Sequence, residues 1–159
     1  MPREKVYIET SVISFLTARP SRDVVKLAKQ ELTRNWWEKS RSHFDLYISV
    51  AVLDEIRKGD PEAAQRRLDV VAGFPVLGAG SDDAVESLLD QLLSAGAVPA
   101  EALLDAYHIA ISAVHGMSFL LTWNCKHINN ATQKHKISAI ILNAGYSEVV
   151  MATPEELWR

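Results

Sequence analysis

Cysteine is almost missing from this chain: Cys125 stands alone, which excludes an internal disulfide framework, and no Cys/His spacing resembles a structural zinc site. Glycine is sparse, with seven residues in all. None falls in a G-x-G-x-x-G or P-loop pattern, so the Gly-rich phosphate cradle of a nucleotide-binding fold is lacking. No apolar run approaches the ~18 residues of a membrane span, and Met1-Pro2-Arg3-Glu4-Lys5 leads straight into a strand pattern with no signal-peptide core. A cytoplasmic protein with no membrane partner is therefore expected. Positive charge is also short: 17 Lys and Arg against 20 Asp and Glu leave a net charge of −3. That balance argues against a general nucleic-acid coat, whose affinity comes mostly from cations on phosphates. Any RNA contact must be local. What is present is 159 residues, 48% hydrophobic and 23% charged, an ordinary composition for one packed core.

Strand and helix signals alternate from end to end. Val6-Tyr7-Ile8 is a short β-branched and aromatic run, after which Ser11 can cap a helix reaching Leu16. Val24, Leu27, Ala28, Leu32, Trp36 and Trp37 recur at helical intervals between Asp23 and Arg41. Leu46-Tyr47-Ile48 reads as a second strand, Ser49 caps a helix carrying Val52, Glu55 and Ile56, and Gly59 ends it. Asp60-Pro61 restarts a helix. Phe74-Pro75-Val76-Leu77 is a weak strand, Ser81-Asp82-Asp83 opens a helix to about Ser94, and Pro99 opens another that ends at Gly116. Ser118 to Trp123 is the clearest buried strand; Ile137 to Leu142 reads as the next, and Val149-Val150-Met151 as a last short one. Thr153-Pro154-Glu155-Glu156 has the signature of a capped terminal helix. No linker or repeat interrupts the series, which predicts a single α/β domain over residues 1–159, three layers deep with a mainly parallel central sheet flanked by helices.

In such a sheet, ligands sit outside the carboxyl ends of the strands. Glu9 directly follows the first strand and Asn124 follows the strong strand ending at Trp123, so both belong at that edge. Glu55, about two turns into the helix after the second strand, and Asp105, early in the helix that Pro99 opens, can project toward the same rim. Oxygen donors of this type suit the hard ions Mg²⁺ and Mn²⁺. The pattern points to metal-assisted phosphodiester chemistry. Each residue also has a plainer reading: Glu9 as a helix cap, Glu55 as part of an exposed charged face, and Asn124 as an Asx-turn. Asp105 interrupts an apolar stretch, where an unpaired carboxylate would be costly.

The stretches Tyr-Ile-Glu-Thr-Ser at 7–11, Leu-Asp-Glu-Ile-Arg-Lys-Gly-Asp at 53–60, Asp-Ala-Tyr-His-Ile-Ala at 105–110 and Leu-Leu-Thr-Trp-Asn at 120–124 together resemble the PIN-domain nucleases, specifically the VapC-like toxins of toxin–antitoxin modules. The resemblance implies a PIN-like domain with an acidic pocket that binds one or two Mg²⁺ or Mn²⁺ ions and cleaves RNA, a cognate antitoxin, and a homodimer. Glu9, Glu55, Asp105 and Asn124 take the family's four metal positions, with Glu9, Glu55 and Asp105 as the catalytic carboxylates. The chain departs from the pattern twice. Glu9 stands where the family usually has Asp, and Asn124, often Asp, is neutral and offers a metal only its carbonyl oxygen or a water-mediated contact.

Around that core, Thr10, His127, Arg57 and Lys58 are the candidate substrate contacts. Arg66 and Arg67 extend the basic stretch, and Trp36-Trp37 can either stack on bases or join the core. His108 and His115 share the helix of Asp105. Two readings compete with an active ribonuclease: a PIN-like domain that binds RNA or protein but has lost catalysis through Glu9 and Asn124, and a small α/β phosphatase or nucleotide-binding module. The last lacks both a Gly-rich loop and the nucleophilic Asp it would need in place of Glu9.

Overall fold

A computed structural model describes residues 1–159. In chain order it runs β1 (Lys5–Ile8), α1 (Thr10–Thr17), α2 (Val24–Lys39), β2 (Asp45–Ser49), α3 (Val50–Ile56), α4 (Pro61–Val71), β3 (Val76–Leu77), α5 (Asp83–Ser94), α6 (Leu103–Val114), β4 (Phe119–Leu121), α7 (Lys134–Asn143) and β5 (Val150–Ala152). Short 3₁₀ turns at Arg41–His43 and Ala100–Ala102 precede β2 and α6. The sheet has the order β3-β2-β1-β4-β5, and every neighbouring pair is parallel.

That order places the helices. From β1 the chain steps outward through β2 to β3, then returns across the sheet to β4 and continues to β5. Parallel crossovers are right-handed, so steps in opposite directions put their helices on opposite faces. Accordingly α1 packs with α2, α3 and α4, while α5 packs with α6 and α7. With helices on both faces, central β1 has no solvent side: Val6, Tyr7 and Ile8 are all fully buried, which is why it reads as a continuous apolar run rather than an alternating one.

Most helix starts lie where the side-chain chemistry put them. Asp23 accepts from the amides of Val25 and Lys26, Ser49 from Val52, Asp60 from Ala63, and Asp82 from Ala84 and Val85. Gly59, in the left-handed region at φ 85°, follows α3 as expected of a terminating glycine. Trp36 belongs to the core, stacked on Phe44 with its indole N–H donating to the Leu157 carbonyl at 2.6 Å. Trp37 is half-buried, covered by the Arg41 guanidinium, whose carbon lies 4.7 Å from its ring centroid, and tilted against Phe74.

Three expectations are corrected. Helix α1 begins at Thr10, capped by Glu9 and not by Ser11. The segment Ile137 to Leu142 is helical, part of α7. Its isoleucines suggested a strand, but burial falls on Ile137 and Ile141, four residues apart on one helical face, while Leu142 is exposed. Thr153 to Glu156 forms a turn without continuing as a helix. Only the reciprocal half of the capping pair forms, with Glu156 Oε1 accepting from Thr153 N at 2.9 Å and from Oγ1 at 3.0 Å, and Leu157 then turns into the core and gives its carbonyl to Trp36.

Gly78, just after β3, illustrates how tightly the sheet meets α6. Its φ is +83°, and a Cβ there would lie 2.5 Å from the Tyr107 hydroxyl and 2.9 Å from Ile111 Cδ1. Gly78→Ala is expected to lower unfolding stability by about 2–4 kcal/mol, from left-handed backbone strain and overpacking together. Urea titration measures it; a loss under about 0.5 kcal/mol would show that α6 gives way there.

Candidate active site

The strand order reverses direction between β1 and β4, and open parallel sheets bind ligands in the crevice at such a switch, outside the strand carboxyl ends. These two strands pair with Ile8 opposite Leu121, so the residues that follow each, Glu9 and Thr122-Trp123-Asn124, emerge side by side. The Glu9 amide still donates to the Leu121 carbonyl at 3.1 Å.

Glu9 is only 5% exposed, and its carboxylate is heavily engaged. Oε2 accepts from the Ser11 amide at 3.0 Å, while Oε1 accepts from Ser11 Oγ at 2.5 Å and Thr122 Oγ1 at 2.5 Å. The two hydroxyls pass the contact on, since Ser11 Oγ accepts from Trp123 N at 2.8 Å and Thr122 Oγ1 from Asn124 N at 2.9 Å. Glu9 thereby caps α1 and ties it to the end of β4. Asn124 Oδ1 accepts from the His127 amide at 3.0 Å, an Asx-type contact that shapes the turn after β4.

Two further acidic groups join this edge. On α3, Glu55 Oε1 accepts from Thr10 Oγ1 at 2.8 Å and lies 2.8 Å from His108 Nε2. Burial pushes the Glu55 carboxyl up, but the hydrogen bonds from His108 and Thr10, with the nearby Lys58 charge, outweigh it and hold it below the usual carboxylate range. On α6, Asp105 Oδ2 lies 3.0 Å from His127 Nδ1. The result is one polar network in which Asp105, His127, Asn124, Thr122, Glu9, Ser11, Thr10 and Glu55 follow each other through hydrogen bonds or along the backbone. All four proposed metal positions take part.

The donors suit a hard divalent cation in kind, because they are carboxylate and amide oxygens. Glu55 Oε2 and Asp105 Oδ1 make no protein hydrogen bond, whereas three of the roughly four acceptor positions of a carboxylate are taken on Glu9. In these conformations no three acidic, histidine or cysteine side chains gather closely enough to hold an ion.

The residues that sequence reasoning underused are Tyr7, Ser11, Ser49, His108 and Thr122. His108 carried the one available signal, a polar side chain one turn after Asp105 in an apolar helix. Tyr7 is pushed well above the ordinary phenol range by burial and the nearby Glu9 and Glu55 carboxylates, despite the Ser49 hydrogen bond. It is a neutral phenol. Among the basic candidates, Arg57 lies 3.8 Å from Asp54, and Arg67 braces the α3–α4 connection by donating to the carbonyls of Ile56 and Lys58. His127 and Lys126 line a cleft of about 390 Å³ with Pro99, Asn130 and Gln133, and a second cleft, of about 570 Å³, is lined by Ser11, Arg19, Lys26 and Gln30.

No protein-family model matches the chain, and no curated protein matches it in sequence. Among solved structures, the crystal structure of Mycobacterium tuberculosis VapC20, a sarcin–ricin loop cleaving toxin, matches at a TM-score of 0.55 and 16% identity, covering 91% of this chain and 98% of that one. The likeness establishes the fold, in agreement with the PIN-like α/β architecture expected from the motifs.

Proposed function

We propose that this protein is a Mg²⁺- or Mn²⁺-dependent ribonuclease of the VapC-like PIN-domain kind, the toxin of a toxin–antitoxin pair. The observation that supports the reading is that Glu9, Glu55, Asp105 and Asn124 lie along one line of polar residues, linked by hydrogen bonds or through adjacent backbone, at the β1–β4 switch point. The fold shared with an RNA-cleaving toxin supports RNA as the substrate, and the low basic content of the chain fits recognition of a limited RNA segment.

Glu55 and Asp105, each with one oxygen free of protein hydrogen bonds, would hold the ion together with Glu9 and Asn124; the ion would supply Lewis acidity at the scissile phosphate and lower the pKa of an attacking water. The chain's own residues do the positioning. Thr10 donates to the Glu55 carboxylate, and His127 fixes Asp105. With Nδ1–H donating to the Asp105 carboxylate, His127 Nε2 is the acceptor nitrogen of the neutral ring, placed to accept from a water or a hydroxyl of the substrate. Lys126 in the cleft that His127 lines, Arg19 and Lys26 in the cleft that Ser11 lines, and Lys58 near Glu55 would give the RNA backbone cations along the network. No helix is long and apolar enough to cross a membrane. Antitoxin binding and homodimer formation belong to the same proposal; Leu103 and Leu104, exposed beside Leu89 and Tyr107, give the α5–α6 surface an apolar face for such contacts.

Mn²⁺ is therefore expected to stabilise the protein. An ion at about 100 times its Kd adds about 2.7 kcal/mol by mass action, which raises Tm by about 5–10 °C in a domain of this size. Differential scanning fluorimetry with and without millimolar Mn²⁺, paired with an RNA cleavage assay, tests this. An unmoved Tm and uncut RNA would overturn the nuclease reading. One observation favours a second reading, a PIN-like binding domain without catalysis: the hydrogen bonds of Glu9 and Asn124 are already those of a cap and a turn. RNA binding without metal-dependent cleavage would select it.

A further inference from the structure

Behind Glu55 lies a second line of polar groups that the proposed chemistry does not itself use. His108 Nε2 meets Glu55 Oε1 at 2.8 Å, His108 Nδ1 meets the Tyr7 hydroxyl at 2.5 Å, and that hydroxyl meets Ser49 Oγ at 2.7 Å. Ser49 Oγ in turn accepts from the Val52 amide at 3.3 Å, capping α3. His108 is 1% exposed, and Tyr7 and Ser49 are fully buried. They come from α6, β1 and the end of β2, so the line exists only because the sheet order brings these elements together.

Its geometry closes a ring. Ser49 caps the helix that carries Glu55, and Glu55 is bonded through His108 and Tyr7 back to Ser49. The directions are consistent throughout: an ionised carboxylate only accepts, so His108 donates from Nε2. Neutral Nδ1 then accepts from the Tyr7 hydroxyl, whose oxygen accepts from Ser49. Both protein donors to Glu55, Thr10 and His108, reach the same oxygen, Oε1. Oε2 is left over.

Resting on the metal-dependent reading above, we infer that His108, supported by Tyr7 and Ser49, is a positioning residue that locks Glu55 by Oε1 and presents Oε2 alone to the divalent ion. Outer hydrogen-bond partners of metal ligands do this generally, and losing one typically costs about 10- to 100-fold in metal affinity or activity. A buried polar cluster that served packing only would affect stability instead.

Two substitutions at His108 separate these roles, because each amide copies one ring nitrogen. His108→Gln places its amide N–H near the Nε2 position and keeps the donor to Glu55, whereas His108→Asn reaches only the Nδ1 position and keeps Tyr7. Tyr7→Phe breaks the line one step further back and leaves Glu55 and His108 in place. The measurement is Mn²⁺ titration of the RNA-free full chain by calorimetry, with urea unfolding of each variant. The expected result is Mn²⁺ affinity about 10- to 100-fold weaker in His108→Asn, a smaller loss in Tyr7→Phe, and near wild-type affinity in His108→Gln. RNA cleavage by His108→Asn should then recover as Mn²⁺ is raised. If His108→Asn does not fold, the order of Tyr7→Phe below His108→Gln and wild type carries the test. Wild-type binding of Mn²⁺ with equal affinity in the folded variants overturns the positioning role alone. A wild-type protein that binds no Mn²⁺ overturns the metal reading and this inference with it.

Discussion

Asp105→Asn is expected to reduce metal-dependent RNA cleavage by about 100-fold or more while the protein stays folded. The substitution keeps size and an acceptor for His127 Nδ1, which Asp105 Oδ2 meets at 3.0 Å, but it removes the charge that a hard cation requires. Losing one electrostatic contact made to a developing charge typically costs about 10²–10³ in kcat. Folding should be little affected: the Asp105 side chain is about a quarter exposed, its position in the first turn of α6 adds only a helix-dipole effect of about 0.3–1 kcal/mol, and α6 is anchored by the fully buried Ala106, Ala110 and Ile111. Cleavage is measured at fixed salt and Mn²⁺, with circular dichroism and Tm as the folding control. Unchanged cleavage would assign Asp105 to the structure of the His127 turn. Loss of fold together with activity would make its role primarily structural.

The second large effect falls on stability. Glu9→Ala removes the acceptor of three hydrogen bonds, from the Ser11 amide, Ser11 Oγ and Thr122 Oγ1, at a residue 5% exposed. Bonds to a charged group contribute about 1.5–3 kcal/mol each and a lost helix cap about 1 kcal/mol, with some relief as water enters. A net loss of about 3–5 kcal/mol is expected, which lowers Tm by roughly 10 °C or more. Glu9→Gln should cost less, because it retains one carbonyl acceptor. The damage should concentrate at α1 and the β4 turn, since Ser11 and Thr122 also hold the amides of Trp123 and Asn124, and hydrogen exchange at those amides reads it out. A Tm within 2–3 °C of wild type, equivalent to only about 1 kcal/mol, would show that the clamp is replaced without strain.

Both predictions concern residues that the sequence singled out, yet what each does was legible to different degrees. Asp105 stood out because a carboxylate inside Leu103-Leu104 and Ala106-Tyr107 needs a reason. Its partner His127 lies 22 positions away, and no local pattern links them. Glu9 was placed correctly at the strand's end, and its plainer reading as a cap corresponds to the hydrogen bonds found. The assignment of that cap to Ser11 missed that glutamate can fold back to the amide two residues on. His108 looked like one histidine among several. Its function as the hinge between Glu55 and Tyr7 depends on contacts spanning 53 and 101 positions.

By itself the sequence determined the alternation of strands and helices, most helix starts, and the placement of Glu9 and Asn124 beyond strand ends, because periodicity, caps and turn residues act over a few positions. It could not settle Ile137 to Leu142, where β-branched residues suit a strand but burial at Ile137 and Ile141 follows a helix. Only the tertiary structure decided that β1 lies between β2 and β4, so that Glu9 meets Thr122 across 113 positions and Glu55 meets His108. The physical reason is that a strand carries its hydrogen-bonding capacity but not the identity of its neighbours. Which buried polar groups satisfy one another is settled only when the whole core closes and excludes the water that would otherwise serve them.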